Sequence, residues 1–230
     1  MKNKNNYLGL KLSVIGACLI FVISCKKDDV GSFTDSRDGS VYKTVKIGKQ
    51  VWMAENLRYL PNVVSQETGS YTTPYYYVYD YEGTNVSAAK VTANYKTYGV
   101  LYNWPAACSS CPSGWHLPSN EEWTQLTDYL GGDSVAGGKL KETGTTHWWS
   151  PNYGATNETG FTALPGGWRW VEDVSGNGVF NGIGYYGTWW TATKFGINAA
   201  WLRSMYDDSY DVYNYHYPTD EGRSVRCVKD

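Results

Sequence analysis

Three groups of closely spaced tryptophans carry the clearest capacity for recognition chemistry in this 230-residue chain: Trp148-Trp149, Trp168-Arg169-Trp170 and Trp189-Trp190. An indole face can stack on the apolar face of a sugar ring. Neighbouring residues on a strand point to opposite faces, so at most one of each adjacent pair is expected to face solvent. The other is expected in the core, since Trp is highly buried on average. Trp148, Trp170 and Trp190, together with Tyr186, are the candidate ligand-contacting aromatics.

The remaining reactive side chains form no comparable pattern. Asp207, Asp208 and Asp211 lie close in sequence, as do Glu172 and Asp173. A calcium site needs six to eight oxygens in defined positions, and these carboxylates read instead as turns and solvated faces. Asp173 to Asn177 is the weaker candidate for a calcium loop. Zinc at the cysteine pair Cys108 and Cys111 would need two more ligands nearby, and of the three histidines, His116, His147 and His216, only His116 is close in sequence. Neither a Gly-x-Ser-x-Gly elbow nor a phosphate loop occurs. Two carboxylates could hydrolyse a glycoside, but only geometry would identify them. No catalytic residue is assigned and no cofactor is expected, with calcium the open possibility. A hydrolase therefore stays an alternative to a non-catalytic binding protein.

The elements that must position these residues read as α+β. Val41 to Ile47 alternates, Gly48-Lys49 makes a two-residue turn, and Gln50 to Met53 returns as a strand. Pro61 to Tyr98 is irregular and Tyr-rich, with alternation from Tyr75 to Glu82, and has the character of an insertion. Tyr98 to Trp104 reads as a strand. Ser119-Asn120-Glu121-Glu122 is a capping box, followed by the apolar stripe Trp123, Leu126 and Leu130, so a helix is expected up to Gly131. A second short helix is expected over 134–141. Beyond Thr143 the chain reads as long loops and antiparallel strands, including 199–205, 210–217 and 224–228. Strands around two short helices, without βαβ alternation, give α+β.

Composition narrows the function further. Aromatics make up 16% of the chain, with 11 Trp and 21 Tyr, while charged residues reach only 18% and the net charge is −2. Such a chain has core material and is not disordered. With no basic stripe, nucleic acid is not an expected partner.

The N-terminus carries an address. Lys2, Lys4 and Lys11 precede a short apolar core from Leu12 to Ile23. That core is shorter than the roughly 20 residues of a spanning helix, and the whole has the pattern of a signal peptide. Val22-Ile23-Ser24-Cys25 resembles the lipobox of bacterial lipoproteins, which implies cleavage after residue 24 and a lipid on Cys25. Lys26-Lys27-Asp28-Asp29 is similar to the export signal of surface lipoproteins in Bacteroidota. The expected organisation is a signal peptide over 1–24, a lipidated Cys25 with a linker to residue 37, and one domain over 38–230. The expected location is the outer membrane, lipid-anchored and exposed at the cell surface. An exported chain meets an oxidising compartment, so pairing is expected among Cys108, Cys111 and Cys227. Cys111–Cys227 is favoured over a Cys108–Cys111 ring, and either choice leaves one cysteine over.

Several segments together resemble one family, the Fibrobacter succinogenes major paralogous domain. They are Asp38-Gly39 with Lys46 to Leu57, Tyr98 to Trp104, Cys111 to Ser119, Gly137 to Lys141, Gly160 to Gly167, Thr188 to Thr193 and Ser224 to Asp230, in that order. Gly114-Trp115-His116-Leu117-Pro118 and Val225-Arg226-Cys227 more distantly resemble the formylglycine-generating-enzyme branch of the C-type lectin-like fold. That implies a compact domain with its termini together and loops over an antiparallel sheet. The family has no established reaction. The distant relative's copper- and cysteine-dependent oxidation needs two neighbouring thiols. The expected function is a surface lipoprotein whose lectin-like domain binds a glycan or a protein, or else a structural or adhesive component of a surface assembly.

Overall fold

The computed structural model describes residues 31–171 and 177–230, together with Met1. The signal peptide, Cys25, Lys26 to Asp29, Glu172, and Asp173 with most of the candidate calcium loop lie outside the described residues.

The domain begins earlier than residue 38. Gly31–Thr34 forms strand β1, which pairs antiparallel with β2 (Val41–Ile47). Phe33 anchors it by stacking on Trp115 and Tyr42, at centroid distances of 4.5 and 5.4 Å. Asp35, buried just beyond, takes an ion pair from Arg37. Within the stretch read as linker, Gly31–Thr34 is therefore an edge strand held by one aromatic side chain. β2 turns at Gly48 (φ +60°) into β3 (Gln50–Met53), with Ile47 opposite Gln50.

The Tyr-rich segment contributes only a short strand, β4 (Tyr76–Tyr77), and then two helices, α1 (Val86–Val91) and α2 (Ala93–Tyr98). The stretch read as a strand from Tyr98 holds β5 (Leu101–Tyr102) and then α3 (Trp104–Ser110). Asn85, Thr92 and Asn103 cap these helices by accepting backbone N–H groups. After β6 (Trp115–His116) come the two expected helices, α4 (Asn120–Tyr129) and α5 (Asp133–Leu140). Five helices thus occur among the described residues, not two. Ser119 and Glu122 form the expected capping box of α4. Gly137 and Gly138 sit inside α5 because loops cross there. A Cβ would lie 2.4 Å from the Asp211 carbonyl oxygen at the first and 2.5 Å from that of Gly154 at the second.

The last third is antiparallel sheet. β7 (Gly166–Val171) pairs with β8 (Gly178–Ile183). β9 (Tyr186–Phe195), β10 (Ala199–Tyr206) and β11 (Tyr213–Pro218) form a three-stranded sheet in the order β11-β10-β9. The final strand, β12 (Val228–Lys229), returns to the first sheet, whose order is β1-β2-β3-β12-β6. The first and last strands therefore share a sheet. The expected Cys111–Cys227 disulfide is present, and Cys108 is the free thiol among the described residues.

Two apolar cores flank the first sheet. Tyr42, Met53 and Cys227 enter one, while Val45, Ile47, Trp52 and Val228 enter the other with the α4 stripe. β9 also runs between them: Trp190 enters the first core and Trp189 the second. Asn56 Oδ1 ties Trp189 to Arg226 beside the second core, accepting from Trp189 Nε1 and Arg226 Nη2, both at 2.9 Å. The class is mixed helix and antiparallel sheet, as expected.

Candidate functional site

Side-chain alternation builds the site. On β7, Trp168 and Trp170 share one face and the buried Arg169 takes the other, donating to the Asp220 and Gln66 carbonyls. On β11, Tyr213, Tyr215 and Tyr217 share a face, while His216 on the opposite face stacks on Phe195 at 3.6 Å. On β9, Tyr186 and Thr188 share a face with Trp190. Where this face of the three-stranded sheet runs past the first core, it meets the β7–β8 hairpin across a pocket of about 460 Å³. That lies in the range of small-molecule sites.

Rings form the walls. Trp168 and Tyr186 meet edge to face at 5.0 Å, and Tyr186 and Tyr206 at 4.8 Å. Gly182 (φ +76°) makes room for the first pair, since a Cβ there would lie 2.3 Å from the Trp168 ring. Burial, reinforced by the Tyr215 hydroxyl and neighbouring rings, pushes the Tyr206 phenol well above its ordinary range, so it stays protonated and able to donate.

An ion pair joins these walls. Glu221 and Arg223, both buried, are bonded through Oε2 and Nη2. Three rings surround the guanidinium: Tyr217 at 4.9 Å, Trp168 at 5.2 Å and Trp190 at 6.0 Å. Burial holds the Glu221 carboxyl above its usual range, against the pull of Arg223. Asn181, Thr188 and Ser204 add neutral polar groups. Two donors of lining residues, Trp170 Nε1 and Arg223 Nε, are buried without a hydrogen-bond partner among the described residues. Such groups are rare in native proteins and are commonly met by water or ligand.

Of the four candidate aromatics, Trp170 and Tyr186 line this pocket. Trp148 and Trp190 do not present a face to it, for both are 0% exposed. Trp148 donates to the Ala163 carbonyl at 2.9 Å, beneath the Lys141 ammonium. Trp190 donates to the Tyr102 carbonyl at 2.8 Å. The correction has a simple cause in each case. In the 148–149 pair it is Trp149 that turns outward. In the 189–190 pair neither does, because both faces of β9 are covered.

Sequence reasoning missed Tyr206, Tyr215, Tyr217, Glu221 and Arg223, and it named Trp168 in its group without carrying it to the candidates. Trp168 and the β11 tyrosines carried a signal in their period-2 spacing. Glu221 and Arg223 carried none, because Trp168 and Trp190, two of the three rings around the guanidinium, come from strands distant in the chain.

Other clusters have structural explanations. Lys141 is buried, and its Nζ donates at 2.8 Å to the carbonyls of Tyr206 and Ser209, beside Asp207 and Asp208. Burial lowers its pKa to about 8. Its ammonium already occupies the cation position of that acidic turn. No group of three or more His, Cys, Asp or Glu that could hold a metal occurs among the described residues. His116 bridges Asp230 (2.6 Å) and Glu122 (2.8 Å), while His147 pairs with Glu142 at 2.7 Å. No helix among the described residues is long and apolar enough to cross a membrane.

Residues 45–229 match the family model described as the Fibrobacter succinogenes major domain. No curated protein and no solved structure matches the chain.

Proposed function

For this chain, which belongs to the Fibrobacter succinogenes major domain family, we propose the role of a surface lipoprotein that binds a neutral saccharide without transforming it. The observation that carries the reading is the buried Glu221–Arg223 pair set among aromatic walls. The pair presents an acceptor and a donor side by side, which suits two adjacent hydroxyls on a sugar ring. Trp168 and Tyr186 supply apolar faces for the C–H face of that ring, and Tyr206 and Asn181 supply further polar contacts. A single ion pair leaves no net charge to select an ionic ligand. Glycoside hydrolysis by the usual route needs two carboxylates flanking the bond, and Glu221 is the carboxylate among the described lining residues.

The lipid anchor on Cys25, with Lys26 to Asp29 as export signal, supplies the location in this reading, and the membrane is then the second partner. We also assign a C-type lectin-like arrangement, supported by first and last strands that share one sheet and by the disulfide joining Cys111 to the C-terminal strand region.

A second reading, an adhesive component of a surface assembly, draws on the β9–β10 hairpin tip. There Ile197 is 88% exposed beside the exposed Phe195. Crosslinking in intact cells that captures a partner through this tip, with no saccharide bound, would favour it.

The test of the first reading is a glycan array probed with the full-length protein and with Trp168→Ala and Tyr186→Ala. Neutral saccharides should give signal with the native protein and lose it with either variant. A folded native protein that binds no saccharide, or variants that bind as the native protein does, refutes the reading.

A further inference from the structure

The turn between β8 and β9 separates two depressions. On one side lies the aromatic pocket, with Asn181 and Tyr186 in its wall. On the other lies a second depression of about 530 Å³, lined by Ile183 at the end of β8, Gly184 of the turn and Trp149. Two large rings stand over this turn in solvent: Trp149 is 53% exposed and Tyr185 38%.

These rings are continuous with the pocket. Trp149 and Tyr185 lie 4.0 Å apart between centroids, Tyr185 and Tyr186 6.0 Å, and Tyr186 and Trp168 5.0 Å. The outer rings are also held in place. The Trp149 backbone N–H donates to the Gly184 carbonyl at 2.9 Å. Its indole packs on Gly184 so closely that a Cβ there would lie 2.2 Å from Nε1. A platform already fixed loses little side-chain freedom on binding. The second depression has hydroxyls at Thr145, Thr146 and Ser150, and its lining also holds His147, which is paired with Glu142 at 2.7 Å. Exposed rings bordered by hydroxyls, with the one histidine already paired to a carboxylate, suit the same chemistry as the pocket.

From this continuity we infer that the ligand is a chain of sugar residues, one held in the pocket and the next stacked on Trp149 and Tyr185. The inference rests on the saccharide reading of the pocket and adds a second subsite to it.

The test is titration of the full-length protein with glucose, mannose and galactose and with their oligosaccharides of two to four residues. The same titrations are run on Trp149→Ala and Trp149→Phe, with urea midpoints confirming that each is folded. Affinity should rise about tenfold or more from one residue to three. Trp149→Ala should erase that rise and leave the monosaccharide affinity unchanged, and Trp149→Phe should restore most of it. Affinity independent of length, or a Trp149→Ala loss that is equal at every length, overturns the second subsite while leaving the pocket reading standing. If no sugar of any length binds the native protein, the pocket reading falls and this inference falls with it.

Discussion

Replacing each half of the Glu221–Arg223 pair separately, and then both, should separate its structural cost from its recognition role. Both residues are buried, and the guanidinium has three rings around it. Removing one partner of such a pair leaves an uncompensated charge and typically costs about 3–5 kcal/mol, whereas an apolar pair of similar volume is often neutral or better. The pocket opens to solvent, which places the single losses at the lower end. Glu221→Met and Arg223→Met should therefore each cost about 3 kcal/mol. The double variant puts an apolar pair of similar volume in place of the ion pair and should cost less than either single loss, far from the sum of the two. Urea denaturation reads this as midpoint shifts at constant slope. The pH dependence gives a second signature. The Glu221 pKa is raised in the folded protein, so its contribution is fully present below the ordinary glutamate value and is lost as pH rises through the folded value. Arg223→Met removes the charge that opposes burial, so stability in that variant should fall more steeply as pH rises from about 4.5. Single losses that simply add in the double variant would mean that the pair is solvated and sets no dry wall in the pocket.

Other consequences follow from residues outside the pair. Reducing Cys111–Cys227, which are separated by 116 residues, should cost about 4–5 kcal/mol by the chain-entropy relation; a urea midpoint unchanged by reductant would contradict it. Trp190→Ala should cost about 3–5 kcal/mol as a core truncation, whereas Trp168→Ala, half-buried, should cost less stability while losing the ligand. For His116, burial pulls the pKa down, but the bonds to Asp230 and Glu122 outweigh it and leave it raised. Its contribution is thus present below 6.5 and lost as pH rises through the folded value; thermal melts of His116→Gln should show a flatter pH profile across that window, and an unchanged profile would refute the assignment.

Legibility in the sequence followed the range of the interactions. Helix α4 could be read because its capping box and apolar stripe are local. The helices α1 to α3 could not, since six or seven residues carry no period, although Asn85, Thr92 and Asn103 stood at their caps. β1 was hidden because Phe33 is its one large apolar residue and its partners, Tyr42 and Trp115, come from later strands. One ring of Trp148-Trp149 does face outward, but not through strand alternation, since the two residues lie outside every strand. The choice is made by the distant Ala163 carbonyl, which accepts from Trp148. The continuous run Thr188-Trp189-Trp190-Thr191 is the pattern of a strand buried on both faces, and reading it so would have removed Trp190 from the candidates. Glu221 and Arg223 acquire meaning only when β7 and β11 are folded around them.

The central claim, that the aromatic pocket recognises sugar through its ion pair, is tested most directly by one titration. The best neutral saccharide from the array is titrated into the native protein and into the folded Glu221→Met/Arg223→Met variant by isothermal calorimetry. The native protein should show saturable binding, and the double variant should lose at least a hundredfold in affinity, about 2.7 kcal/mol, while its circular dichroism stays native. Equal affinity in the two proteins would contradict the claim and place recognition elsewhere on the surface.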